Sequence, residues 1–288
     1  DRQFDHRRLE GRGVTASVTP TKANGEAAVF RNLFKFRGHA SPFAEFLVGV
    51  LAASALLLVW EIAGRMEFVR PQFLPPPSRV LSALWNLLVN QDLNGHTVVS
   101  SLRVWAAFLI AAAMAIPLGM LMSSYRIVGA ALEPMIDFIR YLPVPALVPL
   151  SIIWFGVDEA TKIFLLWLGT FFQLVLFVAD DMRRVPNEYV EIARTLGASS
   201  RNVLVDIAFR AMGPSLVDNL RITLGWCWTY LIIAEIVAAD SGIGFVIWQA
   251  RRFVKTPEVM AGVVVIGLIG LITDQILRAL HRRLFRYL

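Results

Sequence analysis

Few residues of this sequence have the types and spacing that catalysis or metal binding requires. The four histidines are scattered and share no metal-ligand spacing, and the single cysteine, Cys227, lies inside an apolar run. No G-x-x-x-x-G-K-[ST] phosphate loop, H-E-x-x-H or G-x-S-x-G motif occurs. The pattern indicates no catalytic centre, cofactor or metal site in this chain, and it excludes an ATP site built on that loop.

Glu235 is the ionisable residue in the most unusual position, because it lies deep inside an apolar run that also contains Arg221 and Trp226. An acid near the middle of a membrane is costly and usually faces the interior of a helical bundle. Glu235 is therefore a candidate pathway residue. A structural alternative stays open, in which a protonated Glu235 makes a hydrogen bond between two helices.

The composition indicates an integral membrane protein. The 288 residues are 56% hydrophobic and only 17% charged, with a mean hydropathy of +0.58. The net charge of +6 fits cytoplasmic loops rich in Lys and Arg, so we expect membrane lipid as a partner and no nucleic acid.

The apolar runs predict an all-α membrane protein with six transmembrane helices. The predicted spans are residues 43–62, 102–122, 137–156, 162–178, 216–239 and 259–277. Pro143, Pro145 and Pro149 interrupt the third span, and broken backbone at membrane depth must be buried in protein or line a cavity. These prolines join Trp226, Glu235 and Arg221 as candidate pathway residues. A loop followed by a shorter helix is the alternative for this segment.

Outside the spans, residues 1–42 predict a cytoplasmic tail, with a basic amphipathic helix at about 28–37 or else a plain basic linker. A second amphipathic helix is predicted from Ser78. Its expected apolar side comprises Val80, Leu81, Leu84, Trp85 and Leu88. Residues 123–134 and 240–257 are predicted loops.

Residues 185–214, called the hairpin below, form the longest polar helix-patterned stretch between two apolar runs. Tyr189, Ile192 and Leu196 have the spacing of one helical face, which Ala193 shares. Gly197 predicts a left-handed helix end, and Ser199 or Ser200 can cap a second helix. We expect Pro214 to close that helix.

Most Lys and Arg lie in the segments that six spans would place on the side of the two termini, which is also the side of the hairpin. The positive-inside rule then predicts that both termini and the hairpin are cytoplasmic. Arg251, Arg252 and Lys255 oppose the rule locally. They can contact an acidic partner, attract an anionic solute outside, or simply be solvated.

The hairpin resembles the cytoplasmic EAA loop of ABC-importer permeases, whose pattern is roughly E-A-A, three residues, G, nine residues, I-x-L-P. Glu191, Ala193, Gly197 and Ile207 fit this pattern. Ile192 stands where the pattern has its first alanine, the middle residue of E-A-A.

Other stretches carry the same resemblance, which covers nearly everything after about residue 40. Residues 74–85, the second span, the proline-rich third span and the sequence SGIGFVIWQARRF are similar to permeases for nitrate, sulfonates, taurine and bicarbonate. Phe209-Arg210 depart from the pattern, because they stand where Leu-Pro is usual, while Pro214 matches a second proline often seen beyond it.

The resemblance implies a multi-pass permease domain at residues 43–288 in a bacterial inner membrane. Its expected partners are a second permease copy, two ABC ATPase subunits that bind ATP and Mg, and a periplasmic or lipoprotein solute-binding protein. In such permeases the hairpin is the coupling helix that docks on the ATPase. The residues expected there are Tyr189, Glu191, Ile192, Ala193, Arg194, Leu196, Gly197, Ala198, Ser199 and Arg201.

The expected solute is a small anionic or organic molecule such as a sulfonate, taurine or nitrate. The alternative function is an ion-coupled secondary transporter or channel without an ATPase, in which Glu235, Asp218 and the broken third span form the ion site.

Overall fold

The computed structural model describes residues 41–66, 70, 72–238 and 240–286, and every regular element among them is helical. The chain divides after Val59 into two units, which are described separately. The helix predicted at residues 28–37 lies outside the described residues, as does nearly all of the tail predicted at 1–42.

Four of the described helices are long and apolar enough to cross a membrane. They are α1 (Pro42–Arg65), α3 (Leu93–Ser124), α6 (Glu159–Arg183) and α11 (Thr256–Leu284). Each contains a predicted span and has 24 to 32 residues, more than the roughly 20 that a bilayer requires. Hydropathy located the apolar centres, but polar turns that continue the helices beyond them were missed.

The third predicted span is broken as expected, but it begins earlier. Helix α4 (Arg126–Ile139) is followed by a 3-10 turn (Val144–Leu147) and α5 (Val148–Phe155), and the two helical parts are bent by 87°. The prediction of a loop at residues 123–134 was therefore wrong, as was the start at 137. Pro134 lies inside α4. The apolar side of this helix, which includes the buried Ile136, offsets the helix-breaking effect of the proline.

The hairpin continues into the next long helix without a break. Helix α7 (Asn187–Thr195) precedes α8 (Ser200–Asn202), a π-helical turn (Val203–Ala208) and α9 (Phe209–Ala238). The expectation that Pro214 closes the hairpin was wrong, because Pro214 lies inside α9. Helix α9 also begins at Phe209, well before the predicted start at residue 216. Hydropathy missed its first turns because they are less apolar than the rest of the helix.

The segment predicted as a loop at 240–257 contains α10 (Ile243–Arg252). That prediction was wrong because two glycines suggested a loop, whereas Ile243, Val246, Ile247 and Ala250 form a buried helical face.

Helix α2 (Pro77–Asn90) is present as predicted, but its buried side differs. Val80 and Leu87 are buried, in one cluster with Val246, whereas Leu81 and Trp85 are exposed by 68% and 70%. Glu61 holds the start of α2, because its carboxylate accepts from the backbone N–H of Ser78 at 3.0 Å.

Helices α3, α6 and α9 form the centre of the bundle. Small residues on α3, among them the buried Ala111 and Ala115, allow α6 to approach closely. At Gly119 a Cβ atom would lie 2.6 Å from the carbonyl oxygen of Val175, so only glycine fits there. Close backbone approach replaces the hydrophobic driving force that a lipid environment removes.

Arg103 is the centre of a buried ion network at the end of the bundle opposite the hairpin. Its Nε and Nη2 donate to both carboxylate oxygens of Glu159 at 2.6 and 2.5 Å. Its Nη1 donates to Glu235 and to the carbonyl oxygen of Ser241, each at 2.7 Å. The network therefore connects α3, α6 and α9, and it also includes the chain that leads into α10.

Glu235 is fully buried and accepts hydrogen bonds from three donors, all within the bundle. Besides Arg103, the hydroxyl of Ser100 donates at 2.8 Å and the backbone N–H of Gly244 at 2.7 Å. A Cβ atom on Gly242 would lie 2.3 Å from the carboxylate, so glycine lets the chain cross it. Glu235 thus joins α9 to α3 and to the start of α10 through its contacts with Arg103, Ser100 and Gly244.

We predict that Glu235→Ala lowers the free energy of unfolding by about 3–5 kcal/mol, because it leaves part of the buried Arg103 guanidinium unpaired. The matched control is Glu133→Ala, which removes the partner of Arg183 in a pair whose side chains are 36% and 41% exposed. The control should lose at most about 1 kcal/mol. Thermal unfolding of the purified permease in detergent measures both, and equal losses would contradict the prediction.

Candidate functional site

The two helices of the hairpin are joined by a Schellman turn at Gly197. The N–H of Ala198 donates to the carbonyl oxygen of Ala193 at 2.9 Å, and that of Gly197 donates to Arg194 at 2.9 Å. Gly197 has a φ of 80°, in the left-handed region. The predicted left-handed helix end is confirmed, and backbone conformation requires glycine there, since a Cβ atom would meet no other atom within 4 Å.

Ser199 starts the second helix of the hairpin. Its hydroxyl accepts a hydrogen bond from the backbone N–H of Asn202 at 3.2 Å, which confirms one of the two predicted caps. Only two residues, Gly197 and Ala198, separate Leu196 at the end of α7 from this cap. The relative direction of the two helices is therefore fixed by hydrogen bonds within the turn.

Helix α7 has an exposed apolar face. Tyr189 is 50% exposed, Ile192 60% and Leu196 82%, whereas Ala193 on the same predicted face is buried and holds α7 against the rest of the protein. Exposed apolar side chains grouped on a short polar helix are typical of a surface that a partner covers.

Charged residues next to this face make no ion pair within the described part of the chain. Glu191, Arg194 and Arg201 are all exposed and none has an oppositely charged side chain within 4 Å. Their charges are free to complement charges on a partner.

A cleft of about 370 Å³ lies between the hairpin and the ends of α3 and α6. Its lining includes Ser123 and Ser124 at the end of α3, Arg183 at the end of α6, and Arg194 and Leu204 of the hairpin. The cleft therefore separates only part of the hairpin from these helices. Leu204 and Met212 of the hairpin pack in one apolar cluster with α3 and α6, and the π-helical turn connects the hairpin directly to α9.

A second cleft, of about 290 Å³, lies at the break of the third predicted span and is called the membrane cleft below. Of the candidate pathway residues, Trp226 lines it. Pro143, Pro145 and Pro149 shape its wall without lining it, since the lining includes the residues between them, Val144 and Leu147.

The other candidate pathway residues lie in ion pairs. Glu235 is buried against Arg103, as described above. Arg221 is paired with Asp218 at 2.8 Å on its own helix and with Asp274 of α11 at 3.0 Å. Neither residue is brought next to Trp226, and their pathway role stays a prediction.

Sequence reasoning missed several residues at these sites. Gln173 and Tyr230 line the membrane cleft, and Gly169 of α6 admits the Tyr230 ring, because a Cβ atom there would lie 2.6 Å from it. The available signal was a lone amide, Gln173, in an otherwise apolar run. Arg103 was also missed. The available signal was an arginine in an apolar run, which needs an acidic partner, and Glu235 is that partner.

Comparison with known proteins identifies the family. The family model of the binding-protein-dependent transport system inner membrane component matches residues 115–286, more than half of the chain. The taurine transport system permease protein TauC of Escherichia coli (strain K12) is 34% identical over 87% of this chain and 92% of its own length. A Bacillus subtilis (strain 168) protein named as the aliphatic sulfonates transport permease SsuC is 30% identical over 84% of this chain and 88% of its own.

A solved structure supports the fold. A chain of the inward-facing MetNI methionine ABC transporter superimposes with a TM-score of 0.54, over 74% of this chain and 99% of the other, at 17% identity. Family model, relatives and fold agree. The chain belongs to the binding-protein-dependent transport system inner membrane components, the permeases of ABC importers.

Proposed function

We propose that this permease forms the translocation pathway for a small organic solute that carries a sulfonate group, such as an aliphatic sulfonate or taurine, and that ATPase subunits drive it through the hairpin. The solute class rests on the relatives, which are named for taurine and aliphatic sulfonates. The observation that carries the coupling role is the exposed apolar face of α7 next to the Gly197 turn.

The proposed ATPase-docking surface combines apolar and charged groups. Tyr189, Ile192 and Leu196 supply apolar area, while Glu191 and Arg201 supply charges that form no ion pair with another described residue. The helix pair is short and hydrogen-bonded internally, so it moves as a unit when the partner moves. Because α8 continues through the π-helical turn into α9, displacement of the hairpin is passed directly to a bundle helix.

We infer that α9 is the fifth of six spans. Its composition is less apolar than that of the four long apolar helices, but its charges are compensated: Arg221 by Asp218 and Asp274, and Glu235 by Arg103. With α4 and α5 counted as one broken span, both termini and the hairpin are on the cytoplasmic side. The permease domain is then residues 43–288.

The assembly that we propose contains two permease copies, two ATPase subunits that bind ATP and Mg, and an external binding protein. The family description supports dependence on a binding protein. No cofactor is assigned to this permease. The pairing of Glu235 with Arg103 removes the acid on which an ion-coupled alternative would depend, and so favours the ATP-driven function.

A basic tip at residues 251–255 is the proposed contact for the binding protein. Phe253 and Val254 are 68% and 69% exposed and lie between Arg251, Arg252 and Lys255. In the proposed orientation the tip faces outward, where positive charge complements an acidic partner surface. The buried face of α10 and the Glu235 network hold the tip rigidly to the bundle.

We predict that Gly197→Val reduces ATPase stimulation by solute-loaded binding protein at least tenfold and leaves membrane insertion intact. A β-branched residue in the left-handed region costs on the order of 1–3 kcal/mol and disrupts the turn. Gly197→Asn is the control, because asparagine tolerates this conformation. ATP hydrolysis by the reconstituted transporter is the measurement, and wild-type uptake by the valine variant would contradict the coupling role.

Removal of the ATPase subunits should abolish concentrative uptake of radiolabelled taurine into cells that express the permease and binding protein. The control is co-expression of an ATPase subunit whose phosphate-loop lysine is replaced, which should also give no uptake. Uptake that persists on a proton gradient alone would instead support the ion-coupled alternative.

Charge reversal at the basic tip should weaken the contact with the binding protein. We expect the double substitution Arg251→Glu and Arg252→Glu to raise, at least tenfold, the binding-protein concentration that half-maximally stimulates ATP hydrolysis. The matched control, Arg282→Glu with Arg283→Glu, reverses two exposed charges at the other end of the bundle. An unchanged half-maximal concentration in the tip variant would exclude this surface.

A further inference from the structure

The membrane cleft lies near the middle of the helices that form it. Gln173 is 14 residues from the start of α6 and 10 from its end, or about 21 and 15 Å along the helix axis. The facing wall is α9, with Trp226, Thr229 and Tyr230, and the bent segment after α4 supplies Arg140. Polar groups from three elements therefore converge at mid-membrane depth.

Several of these groups have no hydrogen-bond partner in the described part of the protein. The amide of Gln173, the hydroxyl of Tyr230 and the indole N–H of Trp226 all lack one. Polar groups left unpaired in hydrocarbon cost several kcal/mol each, so a lipid-facing position is unfavourable for all three. Their common position in one cleft indicates contact with water or with a polar solute.

The hydrogen-bonding capacity of the cleft favours an anion. Gln173, Tyr230 and Trp226 together carry four N–H or O–H donors, and no aspartate or glutamate lines the cleft. Arg140 is held by Asp137 at 3.1 Å and donates to the hydroxyl of Tyr141 at 3.0 Å. Three of its five N–H groups remain, so Arg140 adds donors while Asp137 limits its net attraction.

The same cleft offers an apolar wall. The rings of Phe172 and Trp226 line it, and Trp226 is further supported by Phe177 at a centroid distance of 5.9 Å. Gly169 lets the Tyr230 ring lie against α6. An oxyanion group next to a short apolar chain matches this combination of donors and aromatic surface.

We propose that the membrane cleft is a solute-contact site of the permease itself, in which Gln173 and Tyr230 bind the oxyanion group and Trp226 contacts the apolar part. The inference rests on the proposed import of a small organic solute that carries a sulfonate group. It assigns part of the solute selectivity to this chain, in addition to that of the external binding protein. Thr229 lies at the edge of the site, where its hydroxyl donates to the Trp226 carbonyl oxygen at 2.7 Å.

Thiol labelling tests the cleft without knowledge of the solute. Cys227 is the single cysteine of the permease and is fully buried, so Thr229→Cys introduces one reactive thiol into each permease copy of the reconstituted transporter. We expect the anionic reagent 2-sulfonatoethyl methanethiosulfonate to label it at least tenfold faster than Leu271→Cys, a 55% exposed position on α11 outside the membrane cleft. Adding Gln173→Glu should slow labelling by the sulfonate reagent and speed labelling by its trimethylammonium analogue. Each labelling rate is divided by the rate at which the same reagent reacts with a free thiol in solution.

Uptake kinetics test solute contact directly. Gln173→Leu and Tyr230→Phe should each raise the KM for radiolabelled taurine or methanesulfonate at least fivefold. The matched control is Gln275→Leu, an exposed amide on α11 outside the cleft, which should leave KM unchanged.

The two experiments separate failure of this inference from failure of the proposed function. Labelling of Thr229→Cys no faster than Leu271→Cys, or a KM unaffected by both cleft substitutions, would overturn the solute-contact site. A wild-type transporter that imports neither taurine nor methanesulfonate would overturn the proposed solute class. The labelling comparison would then still decide whether the cleft is an anion-accessible path.

Discussion

The buried guanidinium of Arg103 is the contact on which the end of the bundle opposite the hairpin depends. One side chain pairs with Glu235 and Glu159 and also binds the backbone that leads into α10. A charge placed this deep is tolerated only when all of its partners are present, so the helices that supply them must keep one arrangement. Two glycines are required by the same contact, because the chain passes directly over the Glu235 carboxylate.

The two ends of the bundle therefore differ in how they are held. Opposite the hairpin, buried charges and the packed face of α10 fix the helices to one another. At the hairpin, a cleft separates α7 from the ends of α3 and α6, and the apolar side chains Tyr189, Ile192 and Leu196 are exposed. A bundle that is rigid at one end and loosely attached at the other suits a protein whose proposed energy input comes from a separate subunit.

Sequence patterns predicted most of the helices and the hairpin turn, because these depend on local periodicity and on one glycine. Gly197 and Ser199 adopt the conformations that their residue types favour. Predictions failed where tertiary packing outweighed a local signal, as at Pro134 and Pro214, which lie inside helices. Gly242 and Gly244, at the start of α10, suggested a loop, but each is a glycine because its backbone passes close to the Glu235 side chain. Gln173 could not be placed because hydropathy does not tell which neighbours a polar residue faces.

The π-helical turn between α8 and α9 has a geometric consequence. A π-helical turn contains one residue more than an α-helical turn, which rotates the following helix by about 100° relative to an uninterrupted α-helix. The side of α9 that faces the membrane cleft is thus offset from the side of α8 next to the Gly197 turn. Loss or gain of a single residue at 203–208 would therefore rotate the cleft-facing side of α9 relative to the hairpin without altering the residues of either surface. The proposed partner recognition and solute contact can thus diverge separately within one continuous helix.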